Sequence, residues 1–225
     1  MDIIESIQSA LSPPHKAGYP FILGSFAVTF LGLIIWHPLA WLGLIFNVFC
    51  LYFFRDPDRV APPRSNVFLA PADGLVVSIE HAAPPAELGL GDDVRPRVAI
   101  FLSVLDVHVN RAPITGTVTR IAYRAGKFLN AAEDKASDDN ERNALAMRLP
   151  SGHEIAVVQI AGLIARRILC HVTEGQTLTA GERFGIIRFG SRTDLYLPVG
   201  TTPLVAVGQR MVGGETVIAE LPAAQ

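Results

Sequence analysis

The chain has 225 residues, half of them apolar, with a formal charge of −2 and two cysteines, a length that holds one good core or one core with a small appendage. Scattered arginines form no long basic stripe, so nucleic acid is not an expected partner. Cys50 and Cys170 both stand in hydrophobic stretches, which suits two buried thiols better than a disulfide or a metal site.

Residues 1–19 read as an amphipathic segment, with Ile3, Ile4, Ile7 and Leu11 on one side of a short helix that would lie on a membrane surface. From Pro20 to Phe54 no residue is formally charged. Residues 20–54 are therefore predicted to be a membrane-embedded helical hairpin, broken at His37-Pro38. Its halves, Phe21 to Trp36 and Leu39 to Phe54, would each be about 24 Å long against a hydrocarbon core of about 30 Å. A re-entrant hairpin and two thin spans both fit. A signal peptide fits less well, because no basic region precedes the run and no small-residue cleavage pattern follows it. Lys16 before the run and Arg55, Arg59 and Arg64 after it place both ends on the cytoplasmic side. The expected location is the cell (inner) membrane with the body of the chain in the cytoplasm, and the three arginines either touch anionic lipid heads or mark that flank.

Residues 55–225 change to short β-type runs between Gly, Pro and Asp. Strands are predicted at Gly74 to Ile79, Val98 to Ser103, Gly116 to Arg124, Ala144 to Leu149, Glu154 to Ile160, Arg167 to Val172, Phe184 to Phe189, Leu204 to Val207 and Thr216 to Glu220. The expected fold class is mainly β within α+β, a sandwich or barrel preceded by the hairpin. The polar stretch Gly126 to Arg142, with Asp134, Asp138 and Asp139, reads as a long surface loop that either covers a site or has no role. Gly175-Gln176-Thr177-Leu178-Thr179-Ala180-Gly181-Glu182 is echoed by Gly208-Gln209-Arg210-Met211-Val212-Gly213-Gly214-Glu215. These turns resemble the hammerheads of biotinyl and lipoyl carrier domains. A carrier needs a lysine at a hairpin tip, and no lysine follows Lys135, so the architecture is expected without the carrier function.

The run Arg188-Phe189-Gly190-Ser191-Arg192 has the makings of a self-cleavage site. Glycine leaves the scissile carbonyl unshielded by a Cβ, and the following serine hydroxyl reaches back to it. The same pair also suits an ordinary turn. A serine needs a base and a carboxylate to orient that base. The candidates are His108, in Asp106-Val107-His108, and Asp73, in Ala70-Pro71-Ala72-Asp73-Gly74. Each has a plain reading as well, His108 as a structural histidine and Asp73 as a turn residue.

Together with Phe53-Phe54-Arg55-Asp56-Pro57, these pieces stand in an order that resembles the phosphatidylserine decarboxylase proenzymes, in their short bacterial or archaeal form. The resemblance implies that Ser191, activated by His108 and Asp73, attacks the Gly190 carbonyl. The resulting ester eliminates to dehydroalanine, which hydrolyses to a pyruvoyl group at position 191. The products would be a large chain, 1–190, and a small chain, 191–225, held together as a heterodimer. The pyruvoyl group would form a Schiff base with phosphatidylserine, release CO2 and leave phosphatidylethanolamine, with His108 returning the proton; no metal is implied. Membrane lipids are the other expected partners.

Two positions depart from the larger relatives. Arg111 stands where they place a second histidine, and Arg192 follows Gly190-Ser191 where they have threonine. Arg192 reads as an exposed surface arginine in preference to a group holding the substrate carboxylate or phosphate. The alternatives are a membrane-tethered serine hydrolase using Ser191, His108 and Asp73, which lacks a Gly-x-Ser-x-Gly elbow, and a non-enzymatic anchor carrying a β domain.

Overall fold

Pro38 and the extended residue before His37 split the long apolar run into two helices in the computed structural model, which describes residues 12–126, 140–162 and 167–221. The predicted surface helix at Ile3 to Leu11 lies outside the described residues. Helices α1 (Tyr19–Ile35) and α2 (His37–Phe53) are 17 residues each, about 26 Å long. Trp36, at φ −162° and ψ 109°, turns the chain between them, and Pro38 occupies the first turn of α2, where a missing N–H costs nothing. Lys16–Ile35, counted with its leading 3-10 turn, is the one described helix long and apolar enough to cross a membrane.

Small residues let the two helices touch along the hairpin. A Cβ on Gly32 would lie 2.3 Å from Ala40 N, and one on Gly43 would lie 2.7 Å from Thr29 N. Asn47 makes polar contacts between them. Asn47 Nδ2 donates to Ser25 Oγ at 2.8 Å and to Ile22 O at 3.2 Å. Leu23, Phe30, Ile34, Trp41 and Ile45 point outward and are exposed, the face that bilayer lipid would cover, and this apolar hairpin associates the chain with a membrane.

The chain divides into two compact units, Met1–Asp58 and Arg59–Gln225. The described residues of the second unit form thirteen strands: β1 (Val67–Leu69), β2 (Gly74–Ala82), β3 (Arg95–Leu102), β4 (Val109–Arg111), β5 (Gly116–Arg124), β6 (Arg142–Arg148), β7 (Glu154–Ala161), β8 (Ile168–Cys170), β9 (Thr177–Leu178), β10 (Arg183–Ile187), β11 (Ser191–Tyr196), β12 (Arg210–Met211) and β13 (Val217–Glu220). An eight-stranded sheet in the order β12-β2-β3-β11-β7-β6-β5-β9 curls as a half-barrel, accompanied by β4-β10-β8 and β1-β13. Every pairing among the described residues is antiparallel. Phe68, Val76, Ile100, Leu145, Phe184 and Leu195 meet in the main core, and each such side chain contributes about 1.5–3 kcal/mol by leaving water.

The internal repeat is a real duplication of structure. Gly175 and Gly208 sit at φ +86° and +88°, and their N–H groups donate to Val118 O and Val76 O at 2.7 and 2.8 Å. Each repeat then supplies a two-residue strand, β9 against β5 and β12 against β2. The partner halves repeat as well, Ala70-Pro71 matching Ala112-Pro113. Leu69 N–H donates to Pro113 O and Arg111 N–H to Pro71 O, at 2.7 and 2.9 Å, so each copy holds the other's turn.

Three expectations change. Leu204 to Val207 is not a strand: Pro203 makes an isolated bridge to Ala219, and Leu204 and Val207 are exposed. Cys170 is half-buried, while Cys50 is buried as expected, and both are free. Ser191–Tyr196 is a full strand at the centre of the large sheet, buried at every position, although its residues are mostly polar. Most of the predicted loop, 127–139, lies outside the described residues; Asn140 and Glu141, at its end, are buried.

Candidate active site

The turn from β3 to β4 is built by Asp106. Its Oδ2 accepts from Ser103 N at 2.8 Å and from Ser103 Oγ at 2.7 Å, an arrangement short polar side chains favour in turns. Arg210 holds Oδ1 at 3.0 Å. This rigid turn delivers His108, which is fully buried. Its Nδ1 lies 2.9 Å from Asp106 O, and its Nε2 accepts from Gly190 N–H at 3.2 Å. A carbonyl only accepts and an amide N–H only donates, so the proton belongs on Nδ1. The basic lone pair on Nε2 therefore faces the Gly190-Ser191 segment.

That segment leaves β10 through a strained turn. Ile187 N–H donates to His108 O at 3.2 Å, and the chain then passes through Phe189 at φ +62° and Gly190 at φ +73°. Glycine adopts this region freely, whereas phenylalanine does so at a cost of about 1–2 kcal/mol. Gly190 O accepts from Gly162 N–H at 3.0 Å. Ser191 follows, completely buried, and its Oγ has no hydrogen-bond partner. A buried hydroxyl left unsatisfied costs about 1–3 kcal/mol. The buried, unpartnered hydroxyl thus follows directly on Gly190, whose O is held by Gly162 N–H and whose N–H is held by His108 Nε2.

Behind the pair runs a buried amide network that ties β4 to the sheet. Asn143 Nδ2 donates to Gln159 Oε1 at 2.9 Å, Gln159 Nε2 to Asn110 Oδ1 at 2.7 Å, and Asn110 Nδ2 to Thr193 Oγ1 at 3.3 Å. It fixes the strand after His108 against the strand that starts at Ser191. Asp73 lies just before β2, where Oδ2 takes Arg59 at 2.8 Å and Oδ1 takes Gly213 N–H at 2.7 Å. Arg111, at the larger relatives' second-histidine position, is buried and donates to Gly181 O at 2.9 Å.

Arg192 is corrected most sharply. It is 0 % exposed, and it forms a two-pronged pair with Asp194, Nε to Oδ1 at 2.6 Å and NH2 to Oδ2 at 2.9 Å. Positions 192 and 194 share one face of β11, so the pair neutralises itself within the strand. A polar cavity of about 430 Å³, with Arg97, Arg142, Asp194 and Tyr196 in its wall, opens on that face. Burial, with Asp194 beside it, pushes the Tyr196 hydroxyl above its ordinary value. Strand alternation sends the Ser191 hydroxyl to the other face, so this cavity lies on the opposite side of β11 from Ser191.

Reading the sequence missed Gly162, whose contribution is a backbone N–H and carries no side-chain signal. It also gave no role to Arg188, half-buried two residues before Gly190. Arg188 N–H donates to Arg167 O at 3.2 Å, which places the two arginines at adjoining positions where β8 and β10 end. Burial first, and then the Arg167 charge, pull the Arg188 guanidinium below its ordinary value.

Comparison with known proteins gives one answer along the whole chain. The phosphatidylserine decarboxylase family model matches residues 46–219. The phosphatidylserine decarboxylase proenzyme of Granulibacter bethesdensis is 64% identical over 221 residues, covering 98% of this chain and 91% of the relative. That of Gluconacetobacter diazotrophicus is 61% identical over 225 residues, with 98% and 100% coverage. That of Cereibacter sphaeroides is 59% identical over 218 residues, with 97% and 94% coverage.

Proposed function

This chain belongs to the phosphatidylserine decarboxylase family and is the proenzyme of a carboxy-lyase of phospholipid biosynthesis, and from that premise we propose that Ser191 becomes its pyruvoyl group, with His108 as the base and Asp73 as the supporting carboxylate. The observation that carries the assignment is the buried, unpartnered Ser191 Oγ next to Gly190, whose N–H is held by His108 Nε2. Ser191 Oγ adds to the Gly190 carbonyl carbon and gives its proton to His108 Nε2. The Gly190 C–N bond then breaks, the proton passes to the Ser191 nitrogen, and an ester links Gly190 to Ser191 Oγ. Loss of the Ser191 Cα proton expels the Gly190 carboxylate and leaves dehydroalanine, which water converts to the ketone with release of ammonia.

The residues present fit the group. Cleavage after Gly190 frees a small chain of 35 residues whose β11 still pairs with β3 and β7, β12 with β2 and β13 with β1. The new N-terminus thus stays fixed at the edge of a buried strand, beside His108. The pyruvoyl ketone supplies an electron sink for the charge left at the substrate Cα by loss of CO2. His108 Nε2, which accepts from Gly190 N–H, is the group proposed to return a proton to that carbon. The hydrolase alternative asks for an accessible serine, and Ser191 is fully buried.

Denaturing mass spectrometry tests the assignment. The natural protein is expected to run as chains of 190 and 35 residues. His108→Gln is expected to slow appearance of the small chain by about 10²-fold or more, the usual worth of a positioned base, with Asp73→Asn slower than the natural protein by about ten-fold. Maturation of both variants at the native rate would remove the two residues from the reaction.

Arg188 and Arg167 give the substrate's anionic headgroup a place to bind. Like charges on adjoining strand positions repel, and a phosphodiester or carboxylate between them turns that repulsion into charge-assisted hydrogen bonds. Arg188→Met is expected to raise KM about ten-fold with kcat within about two-fold; steady-state kinetics on mixed micelles showing an unchanged KM would move the headgroup elsewhere. Lys16 on one side of the hairpin and Arg55, Arg59 and Arg64 on the other support an inner-membrane location with the catalytic unit on the cytoplasmic side.

A further inference from the structure

The peptide that touches the scissile carbonyl is itself held from behind. Gly162 N–H donates to Gly190 O at 3.0 Å, and the carbonyl of the same peptide unit, Ala161 O, accepts from Asn140 Nδ2 at 2.8 Å. Asn140 is 0 % exposed. Ala161 N–H donates to Glu141 O at 2.9 Å, so the segment Asn140-Glu141 grips the end of β7 on both sides of that residue.

A peptide whose oxygen accepts a hydrogen bond is polarised, and its N–H becomes a stronger donor. The chain Asn140 Nδ2–H to Ala161 O, then Gly162 N–H to Gly190 O, therefore pulls electron density from the carbonyl that Ser191 has to attack. Gly190 is also fixed at its N–H by His108, which leaves the carbonyl little freedom to turn away.

We infer that Asn140 is a positioning residue for self-cleavage, acting through the Ala161–Gly162 peptide to orient and strengthen the N–H that receives the negative charge developing on Gly190 O. The inference rests on cleavage between Gly190 and Ser191 as proposed above. When Ser191 Oγ bonds to the Gly190 carbon, the carbonyl π pair moves onto Gly190 O and the hydroxyl proton goes to His108. A preorganised donor at about 3 Å lowers the cost of that charge. Asn140 touches none of the reacting atoms; its contribution passes through one peptide.

The test follows newly synthesised full-length protein in membranes by denaturing mass spectrometry, comparing the natural chain with Asn140→Asp, Asn140→Ala, Gly162→Pro and Ser191→Ala. Asn140→Asp keeps the side-chain shape and replaces the donating amide by an accepting carboxylate. Gly162→Pro leaves Asn140 in place and removes the N–H, and residue 161 is in a strand, the conformation a following proline favours. The Asn140 variants are expected to release the small chain about ten-fold more slowly, and Gly162→Pro at least as slowly, with thermal unfolding confirming that each is folded. Hydroxylamine separates this role from a general loss of packing, because it cleaves any accumulated ester to a Gly190 hydroxamate and a free Ser191 N-terminus. It should not restore the rate if attack on the carbonyl is the step that Asn140 assists. Folded Asn140 or Gly162 variants that cleave within two-fold of the natural rate, or whose cleavage hydroxylamine restores, overturn the inference and leave self-cleavage intact. An uncut natural chain overturns the reading beneath it.

Discussion

Ser191→Ala is expected to remain a single chain of 225 residues with no decarboxylase activity above background, under conditions where the natural protein is fully cut. Alanine has no oxygen to form the ester and no leaving group to eliminate, so both the cleavage and the pyruvoyl group are lost together. The fold should not suffer. Ser191 Oγ is buried without a hydrogen-bond partner, so removing it relieves a desolvation cost of about 1–3 kcal/mol and leaves no partner group unsatisfied. The uncut variant should therefore unfold at the same or a higher denaturant concentration than newly made natural chain that has not yet been cut. Two measurements decide: intact mass after denaturation, and a denaturant melt. Cleavage of the alanine variant after Gly190 would rule out serine attack, and a marked loss of stability would mean that the hydroxyl has a structural partner.

Asp194→Ala is expected to give the largest loss of stability of any single change on β11, about 3–5 kcal/mol, because it leaves the Arg192 guanidinium uncompensated in the middle of the sheet. Arg192 and Asp194 are 0 % exposed, and Arg97 NH1 lies a further 3.7 Å from Asp194, so Arg192 would lose its paired carboxylate while Arg97 would keep Glu80. Replacing both members of the pair, Arg192→Met with Asp194→Leu, should recover most of that loss, since the buried pair has desolvation costs of its own that apolar packing avoids. The comparison is best made in the Ser191→Ala background, where one uncut chain allows a single unfolding transition. A loss below about 1 kcal/mol for Asp194→Ala would mean that water reaches the pair and screens it. β11 also carries the proposed cofactor at its first residue, so loosening it should reduce maturation as well as stability.

The hairpin was legible because burial in lipid demands an unbroken apolar run and Pro38 marks its break; the helices end within a few residues of the expected limits. Strand Gly116–Arg124 was legible to the residue, and the turns at Gly175 and Gly208 were visible as a repeat because both need a left-handed residue at the same place. β11 was not legible. Its sequence, Ser-Arg-Thr-Asp-Leu-Tyr, has the polarity of a surface segment, and partners brought by the fold, the Arg192–Asp194 pair and Asn110 on Thr193 among them, make its burial tolerable.

His108, Asp73, Gly190 and Ser191 stood out as candidates in the sequence, because the chemistry proposed for them is side-chain chemistry and side chains are what a sequence records. The direction in which His108 presents its lone pair was decided by tertiary structure, through a carbonyl at Asp106 and an amide at Gly190, residues far apart along the chain and close in space. The same holds for the hydrogen bond from Gly162 N–H to Gly190 O, with Asn140 behind it on Ala161 O, since a backbone N–H is present at every residue but proline and only folding gives one of them a task.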